Sequence, residues 1–452
     1  MSYSRPHVVI IGAGFGGIKA AKMLAKEDVR VTIIDRQNFH LFPPLLYQVS
    51  TSVLSNEEIA YPIRSFFRKN KNVELFMARA EGFDTERKVV LTSHGEMPYD
   101  YLIVASGSTT NYFGMENVEK YSYGMKTIQE AVHIRNHVLH MFERANKMHH
   151  DEAERRKMLT FVCVGGGPTG VEESGALCEL VAIQQKEYHN LDFNEVRIIL
   201  VEATDMLLPM MPPELRDYTV RALEKKGVEV MLNTQVSDCS ADGITFKDGT
   251  HIPTKTVIWA AGVRAHKIVS LLGKECDRGG RVIVEKTMQV PDLPGVFAVG
   301  DCACFIPEEG ARPLPTIAPV ANQGAEVAAK NVMHLIRKQE METLTYKDHG
   351  AMATIGKGEA VVSTGPLRTG FLAWFIWMGV HLLLLNGAFT NFTVGLKWGW
   401  NFLMGIRLGR IITNIDLSEE DRKYEADPEK MEKRKQEASI KHGSNRTGIK
   451  FN

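Results

Sequence analysis

Two glycine-rich turns, about 150 residues apart, set the main limit on what this chain can fold into. The first lies in "VIIGAGFGGIKAAKMLAKEDVRVTIIDR" (9–36) and the second in "FVCVGGGPTGVEESGALCELVAIQQKEYHNLDFNEVRIILVE" (161–202). Each reads as an apolar run, a glycine turn, a helix, and a second apolar run tipped by an acid. Short apolar runs without alternation are strands buried on both faces, as in a parallel sheet. A chain that does this twice, with strands alternating with helices, is expected to be α/β and doubly wound, twice over.

The rest of the order fits that reading. "YDYLIVASGS" (99–108) and "TVIWAAGV" (256–263) are matching strands, one in each unit, and "GVFAVGDCA" (295–303) is a further strand ending in Gly-Asp. "TIQEAVHIRNHVLHMFERANKM" has helical signals, and the charged "HHDEAERRK" (149–157) reads as a linker or helix end. Formal net charge is zero, so no global field recruits nucleic acid. Strand-like "HVVIIGAG" begins at residue 7, where a signal peptide would need its apolar segment, and none is expected. The six cysteines form no CxxC, which excludes a disulfide framework or a zinc or iron–sulfur pattern, and a reducing setting is expected. No metal site is expected.

In the first cradle Gly12, Gly14 and Gly17 have GxGxxG spacing, with Phe15 and Gly16 between them. Glycines there allow a tight turn and let backbone N–H groups reach a pyrophosphate at the helix N-terminus. Asp35 ends the next strand, where a carboxylate can accept from ribose hydroxyls, and Arg36 follows it. Asp301, after Gly300, is suited to the ribityl chain of a flavin, which NAD lacks; read alone it is also an ordinary turn or N-cap aspartate. Ala105, Ser106 and Gly107 supply a second close backbone approach. The first cradle is therefore expected to hold non-covalent FAD, with Ala80 added to its candidate residues.

Gly165, Gly167 and Gly170 repeat the spacing, with Pro168 and Thr169 between them, and Glu202 ends the following strand. The 32 residues from Gly170 to Glu202 exceed the usual interval, and a longer helix plus a polar loop would absorb them. A carboxylate here bonds an unphosphorylated ribose and repels a 2′-phosphate, so NADH is favoured over NADPH, unless Glu202 is merely solvated. Ala261 and Gly262 complete the expected NADH site. Glu172, in the first turns of the helix, could orient the nicotinamide or relay protons, or could simply complement the helix dipole. Two cradles suit a protein that holds a hydride donor against a hydride acceptor.

The electrons then need a destination. Residues 36–65 contain no cysteine, so a disulfide-reductase route fails. That stretch instead includes "HLFPPLLYQVSTSVLS" and "YPIR". Together with "VGGGPTGVE", "VIWAAGV", "VFAVGDCA" and "MATIGKGEAVV", residues 5–412 resemble the type II NADH:quinone oxidoreductases, single-chain flavoenzymes of the membrane surface. The resemblance implies NADH oxidation through FAD to a membrane quinone, ubiquinone or menaquinone, without proton pumping. It places Ala318, Pro319, Val320 and Gln323 beside the flavin and quinone. The family's first glutamine in that element is here Pro319, a departure that puts the usual glutamine contact in question. Glu172, Gln323 and Pro319 are the catalytic candidates, and Gln323, Lys357 and His381 the quinone-site candidates. By residue type alone Gln323 is an ordinary helix residue and His381 a packed histidine.

From Thr369 to Leu396 no residue is charged, and 367–412 carry Arg368, Lys397, Arg407 and Arg410 but no acid. Four of the five tryptophans (Trp374, Trp377, Trp398, Trp400) fall here. Trp with Lys/Arg rimming an apolar surface suits the lipid headgroup boundary. An amphipathic monotopic anchor on the cytoplasmic face is expected. The uncharged run 371–389 offers a transmembrane helix as its rival, and a buried homodimer face is a third possibility. The expected divisions are an FAD domain at 1–150 and 286–366, an NADH domain at 151–285, a membrane-surface region at 367–415, and a charged tail at 416–452. Two other functions compete. One is a sulfide:quinone oxidoreductase using Cys163, Cys302 or Cys304, and the other is a nucleotide-sensing interaction protein with a structural flavin.

Overall fold

The computed structural model describes residues 5–413 apart from 149, 406 and 408; the charged stretch expected at 416–452 lies outside the described residues. The chain up to Arg410 forms one compact unit.

Two parallel sheets of five strands carry the fold, and they share one topology. The first runs Val296–Ala298, Tyr101–Val104, His7–Ile11, Arg30–Asp35, Val73–Met77. The second runs Tyr123–Gly124, Thr256–Trp259, Thr160–Val164, Arg197–Val201, Val228–Met231. In each, the strand that enters the glycine turn is central, and every residue of His7–Ile11 and Thr160–Val164 is buried. That explains their apolar composition: both faces are covered. Each sheet also has an antiparallel three-stranded meander as companion, 80–98 in the first unit and 236–253 in the second. The repeat therefore extends beyond the cradles.

Helix Phe15–Leu24 packs against helix Ala318–Ile336, which brings the late segment 296–336 onto the first unit. Helix Pro168–Gln184 packs against the hairpin Met352–Gly356/Glu359–Val362, and Gly175 makes this possible. A Cβ on Gly175 would lie 2.0 Å from the Ile355 carbonyl oxygen.

Residues 152–158 are a full helix, Glu152–Met158, rather than a linker, because Asp151 caps the Glu154 N–H and opens it. The long interval before Glu202 is filled by the helix to Gln184 and a loop containing the short turn Phe193–Glu195. The uncharged C-terminal run is two helices, Gly370–Leu384 and Ala388–Met404. They are separated where Gly387 takes φ +99°, with the Tyr61 ring 2.7 Å from the position a Cβ would need. A helix of fifteen residues is roughly 22 Å long, short of a bilayer's ~30 Å core. Among the described residues no helix is long and apolar enough to cross a membrane.

Candidate active site

The two glycine turns are built alike. Gly12 has φ +95° and Gly165 φ +117°, and a Cβ on either would collide with the backbone at Ala105 (2.4 Å) or Ala260 (2.6 Å). The third glycine of each motif sits on the first: a Cβ on Gly17 would lie 1.8 Å from the Gly12 oxygen, and one on Gly170 1.9 Å from the Gly165 oxygen. By contrast, nothing lies within 4 Å of where a Cβ on Gly14 or Gly167 would stand. These two residues begin their helices facing open space, the arrangement a pyrophosphate needs.

The acids are equivalent too. Asp35 accepts from the Ala13 N–H at 2.7 Å and the Gln37 N–H at 2.8 Å. Glu202 accepts from the Gly166 N–H at 2.6 Å and from the Thr204 N–H at 2.8 Å. Burial pushes the Asp35 carboxyl up, against these bonds and the pull of Arg36. Glu202 is thus a structural member of its turn and not a merely solvated acid.

The structure brings most first-cradle candidates together. Above Gly16 lie Val299, the Ala321 carbonyl and Ala105. Gly300, at φ +73°, rests on Ala321, one residue past Ala318–Pro319–Val320, where the late helix begins with its proline in the first turn. Asp301 accepts from the Ser108 hydroxyl at 2.5 Å and lies 3.6 Å from the Lys126 ammonium, so it caps no helix. Gly107 takes φ +69°, and the Ser106 hydroxyl is buried without a partner. Ala80 starts the first meander, two residues after Ala78 bonds the Asp35 carbonyl. His40, which sequence reading passed over, holds the turn from behind through Nδ1 and the Ala13 oxygen at 2.8 Å.

At the second cradle Gly167 caps the helix, Pro168 occupies its first turn, and Thr169 is exposed. Ala261 flanks Gly165, and Gly262 lies under the Phe113 ring. One turn into the helix, Glu172 is buried. Its carboxylate accepts from the Thr354 N–H of the hairpin at 3.3 Å, and burial pushes its acid up to about 8. The Thr354 amide and the Trp377 indole pull the other way. Neighbouring Glu173 is fully buried and is also pushed up to about 8 by burial; it accepts from the Ser50 hydroxyl at 2.6 Å.

Beside Glu172 opens a recess of about 500 Å³, mouth included, walled chiefly by Tyr47, Gln48, Thr354, Trp377, Trp398 and Phe402. A side-chain chain stiffens it: Trp398 Nε1 donates to Gln48 Oε1 at 2.7 Å, and Gln48 Nε2 donates to the Tyr47 oxygen at 2.8 Å. Lys357 lines the recess with its ammonium 4.9 Å from the Phe402 ring centroid.

The other two quinone-site candidates are engaged elsewhere. Gln323 spends both ends of its amide on the Lys347 backbone, donating to its oxygen and accepting from its N–H, each at 2.9 Å. His381 is packed: its ring stacks on Trp377 at 4.0 Å, and Nδ1 bonds the Trp377 oxygen. Burial holds His381 neutral, with its pKa lowered to about 4.

The tryptophans do not form one rim. Trp377 and Trp398 are buried in the recess wall, while Trp400 is exposed. Three of the four cations are likewise engaged by the body of the protein. Arg407 is buried, donating to the Thr51 and Ala176 carbonyls and to Glu179 at 2.7, 3.2 and 2.6 Å. Lys397 pairs with Glu58 at 2.8 Å and Arg410 with Glu187. The outward face instead carries Phe371, Phe375, Leu383, Phe389, Phe392 and Leu403, with Leu383 84% and Phe389 81% exposed. Composition could not say which face of each helix a tryptophan takes. The pairing of Tyr47 and Gln48 with this region was signalled only by the distinctive "LLYQV". All six cysteines are free, and burial raises the Cys163 and Cys302 thiols, which argues against a reactive thiolate.

A family model for the pyridine nucleotide-disulphide oxidoreductases matches residues 6–325. The type II NADH:quinone oxidoreductase Ndh of Mycobacterium tuberculosis is 39% identical over 416 residues, 88% of each chain. The type II NADH:quinone oxidoreductase of Staphylococcus haemolyticus is 31% identical over 368 residues, 80% of this chain and 90% of its own. Among solved structures, NDH2 of Plasmodium falciparum in complex with NADH superposes with a TM-score of 0.83 at 20% identity, covering 91% of this chain and all of its own. The sulfide:quinone oxidoreductase of Aquifex aeolicus shares the fold less closely, with a TM-score of 0.67 at 18% identity over 89% of this chain and 96% of its own. With its two matched cradles and its identity to curated relatives over most of their length, the chain belongs to the type II NADH:quinone oxidoreductases, within the pyridine nucleotide-disulphide oxidoreductase family.

Proposed function

We propose that this protein oxidises NADH and passes two electrons through FAD to a membrane quinone, without proton pumping, while resting on a bilayer surface. One observation carries the proposal. The helix whose N-terminus forms the second cradle bears Glu172 one turn later, and Glu172 faces Thr354 and Trp377 in the wall of an aromatic recess. The second cradle and an apolar recess, lined by Ala176 and Glu179 of the same helix, thus lie along one helix with Glu172 between them.

The residues of the first cradle fit FAD. Gly12 and Gly17 give the tight turn, Gly14 leaves room for the pyrophosphate, and Asp35 is placed for ribose hydroxyls. Asp301 and the Ala318–Val320 helix start close the other side. A flavin held there supplies the exchange between a hydride donor and a quinone. The second cradle orients NADH through Gly167, Pro168 and Thr169, with Glu202 selecting the unphosphorylated ribose. Glu172, protonated over much of the physiological range, holds a proton beside the recess for the quinone to take up. Gln323, tied to Lys347, contributes by holding its loop, and Pro319 by starting its helix.

The exposed apolar residues of the two C-terminal helices support peripheral attachment to the membrane, on the cytoplasmic side where NADH is made. A homodimer would compete for the same face. The test of the function is stopped-flow absorbance. NADH should bleach the flavin band, NADPH should do so poorly, and ubiquinone-1 or menadione should restore it. A purified protein that cannot be loaded with flavin would overturn the reading.

A further inference from the structure

Two nitrogens among the residues lining the recess are buried without a hydrogen-bond partner, Trp377 Nε1 and Arg407 Nε. The Arg407 guanidinium already donates to two carbonyls and a carboxylate through its other nitrogens, so its function is accounted for. Trp377 is different. Its side chain is 1% exposed, and Nε1–H is the only polar group it has. A buried indole N–H normally finds an acceptor, because leaving it unpaired costs free energy.

The ring cannot turn away to find one. It is stacked against His381, whose Nδ1 is bonded to the Trp377 carbonyl, and it packs on Trp398 and Tyr47. The polar groups beside it are partly spent on one another, since Trp398 donates to Gln48 and Gln48 to the Tyr47 oxygen. The N–H is thus a fixed donor at the recess wall, directed toward the Glu172 carboxyl but outside normal hydrogen-bond geometry.

We propose that the Trp377 indole N–H is the donor that binds a quinone carbonyl in this recess, beside Glu172. This rests on the recess being the quinone site, as the proposed function has it. One hydrogen cannot serve two acceptors fully. When Glu172 is ionised its carboxylate competes for the N–H, and when Glu172 is protonated the N–H is released to the carbonyl. The groups that face Glu172 are few. Tyr47 stands opposite, Glu173 and Glu179 lie on its own helix, Arg407 reaches in from the C-terminal side, and His381 lies behind Trp377.

The test uses the FAD-loaded full chain and W377F, which keeps an aromatic ring and removes the N–H. The KM for ubiquinone-1 or menadione should rise about 3- to 10-fold, the worth of one neutral hydrogen bond. The single-turnover rate of flavin bleaching by NADH should change by less than about twofold, since the cradle contacts are untouched. The pH at which quinone kcat/KM declines should move upward, because Glu172 loses a group that favours its anion. W377H retains a ring N–H and should recover part of the quinone KM; it also serves if W377F does not fold. An unchanged quinone KM and pH profile in W377F would overturn the proposal, as would equal losses in W377F and W377H. Failure of the wild-type flavin to be reoxidised by quinone would instead overturn the function on which it rests.

Discussion

Glu202 Oε2 lies 2.6 Å from the Gly166 amide nitrogen, the same bond that Asp35 makes to the Ala13 amide 2.7 Å away in the other cradle. In both, the acid at the tip of the second strand ties down the residue after the first glycine. The acid therefore sets the turn, besides the ribose contact proposed for it. Replacing it has two separable consequences.

E202A should lower the NADH-over-NADPH preference in kcat/KM by about tenfold or more, since both a charge-assisted bond and a repulsion toward a 2′-phosphate are lost. It should also lower stability by about 1–3 kcal/mol, because the Gly166 and Thr204 amides lose their acceptor. Steady-state kinetics with the two nucleotides and thermal melts separate the effects. An unchanged nucleotide preference would mean that another residue reads the ribose.

G175A tests the contact between the second cradle helix and the hairpin that holds Thr354. The new methyl would stand 2.0 Å from the Ile355 oxygen, so helix and hairpin must separate. A loss of about 1–3 kcal/mol is expected, as for overpacking elsewhere. Because the Thr354–Glu172 bond spans this contact, quinone turnover should fall further than flavin reduction by NADH. Equal loss in both half-reactions would show that the contact is structural only.

Both cradles are legible in the sequence because every part of them is local: the strand, the glycines, the helix start and the acid fall within one βαβ unit. The recess is not. Thr354 meets Glu172 across 182 residues, and Trp398 meets Gln48 across 350. Spacing carries no record of such pairs. The tryptophans of the C-terminal helices were equally opaque, since indole suits a lipid boundary and a packed wall alike, and only the helix phase against the body decides. Arg407 shows the same ambiguity for a cation: composition suggests a headgroup contact, and the fold spends it on Glu179 and two carbonyls.

Glu173 predicts a pH dependence of stability. Burial raises its acid to about 8 in the folded protein, above its ordinary range near 4.5. Between those values the folded state binds more protons than the unfolded state, so stability falls as pH rises through this window. E173Q removes the titration, and its melting temperature should vary less between pH 5 and 8 than that of the wild type. Glu172 is shifted the same way and leaves a residual slope in that variant. Parallel curves for E173Q and wild type would show that Glu173 is not charged at a cost.

Arg407 is a buried cation from the C-terminal segment, with its side chain 1% exposed and its partner Glu179 on the second cradle helix. R407A leaves two carbonyls and a carboxylate without their donor, which should cost about 3–5 kcal/mol. The loss should concentrate at the C-terminal side. Proteolysis there and quinone turnover should respond before flavin absorbance does. R407K, which cannot make the forked set of bonds, should recover only part of the stability. Full recovery would mean that charge alone matters.

Membrane attachment is best tested without deleting the C-terminal region, because 367–410 also supply Trp377, Trp398 and Arg407 to the body. The outward face is separable from those inward groups. Phe389 and Leu403 are 81% and 79% exposed, so neither packs in the core. Each side chain buried in lipid contributes about 1.5–3 kcal/mol, and F389E/L403E should weaken vesicle binding by well over tenfold in flotation assays. Flavin reduction by NADH should be preserved in the double variant, and so should turnover with a water-soluble quinone analogue. Turnover with a long-chain quinone held in vesicles should fall with binding. If vesicle binding persists while a sedimenting dimer is lost, the face pairs two copies and the membrane is reached elsewhere.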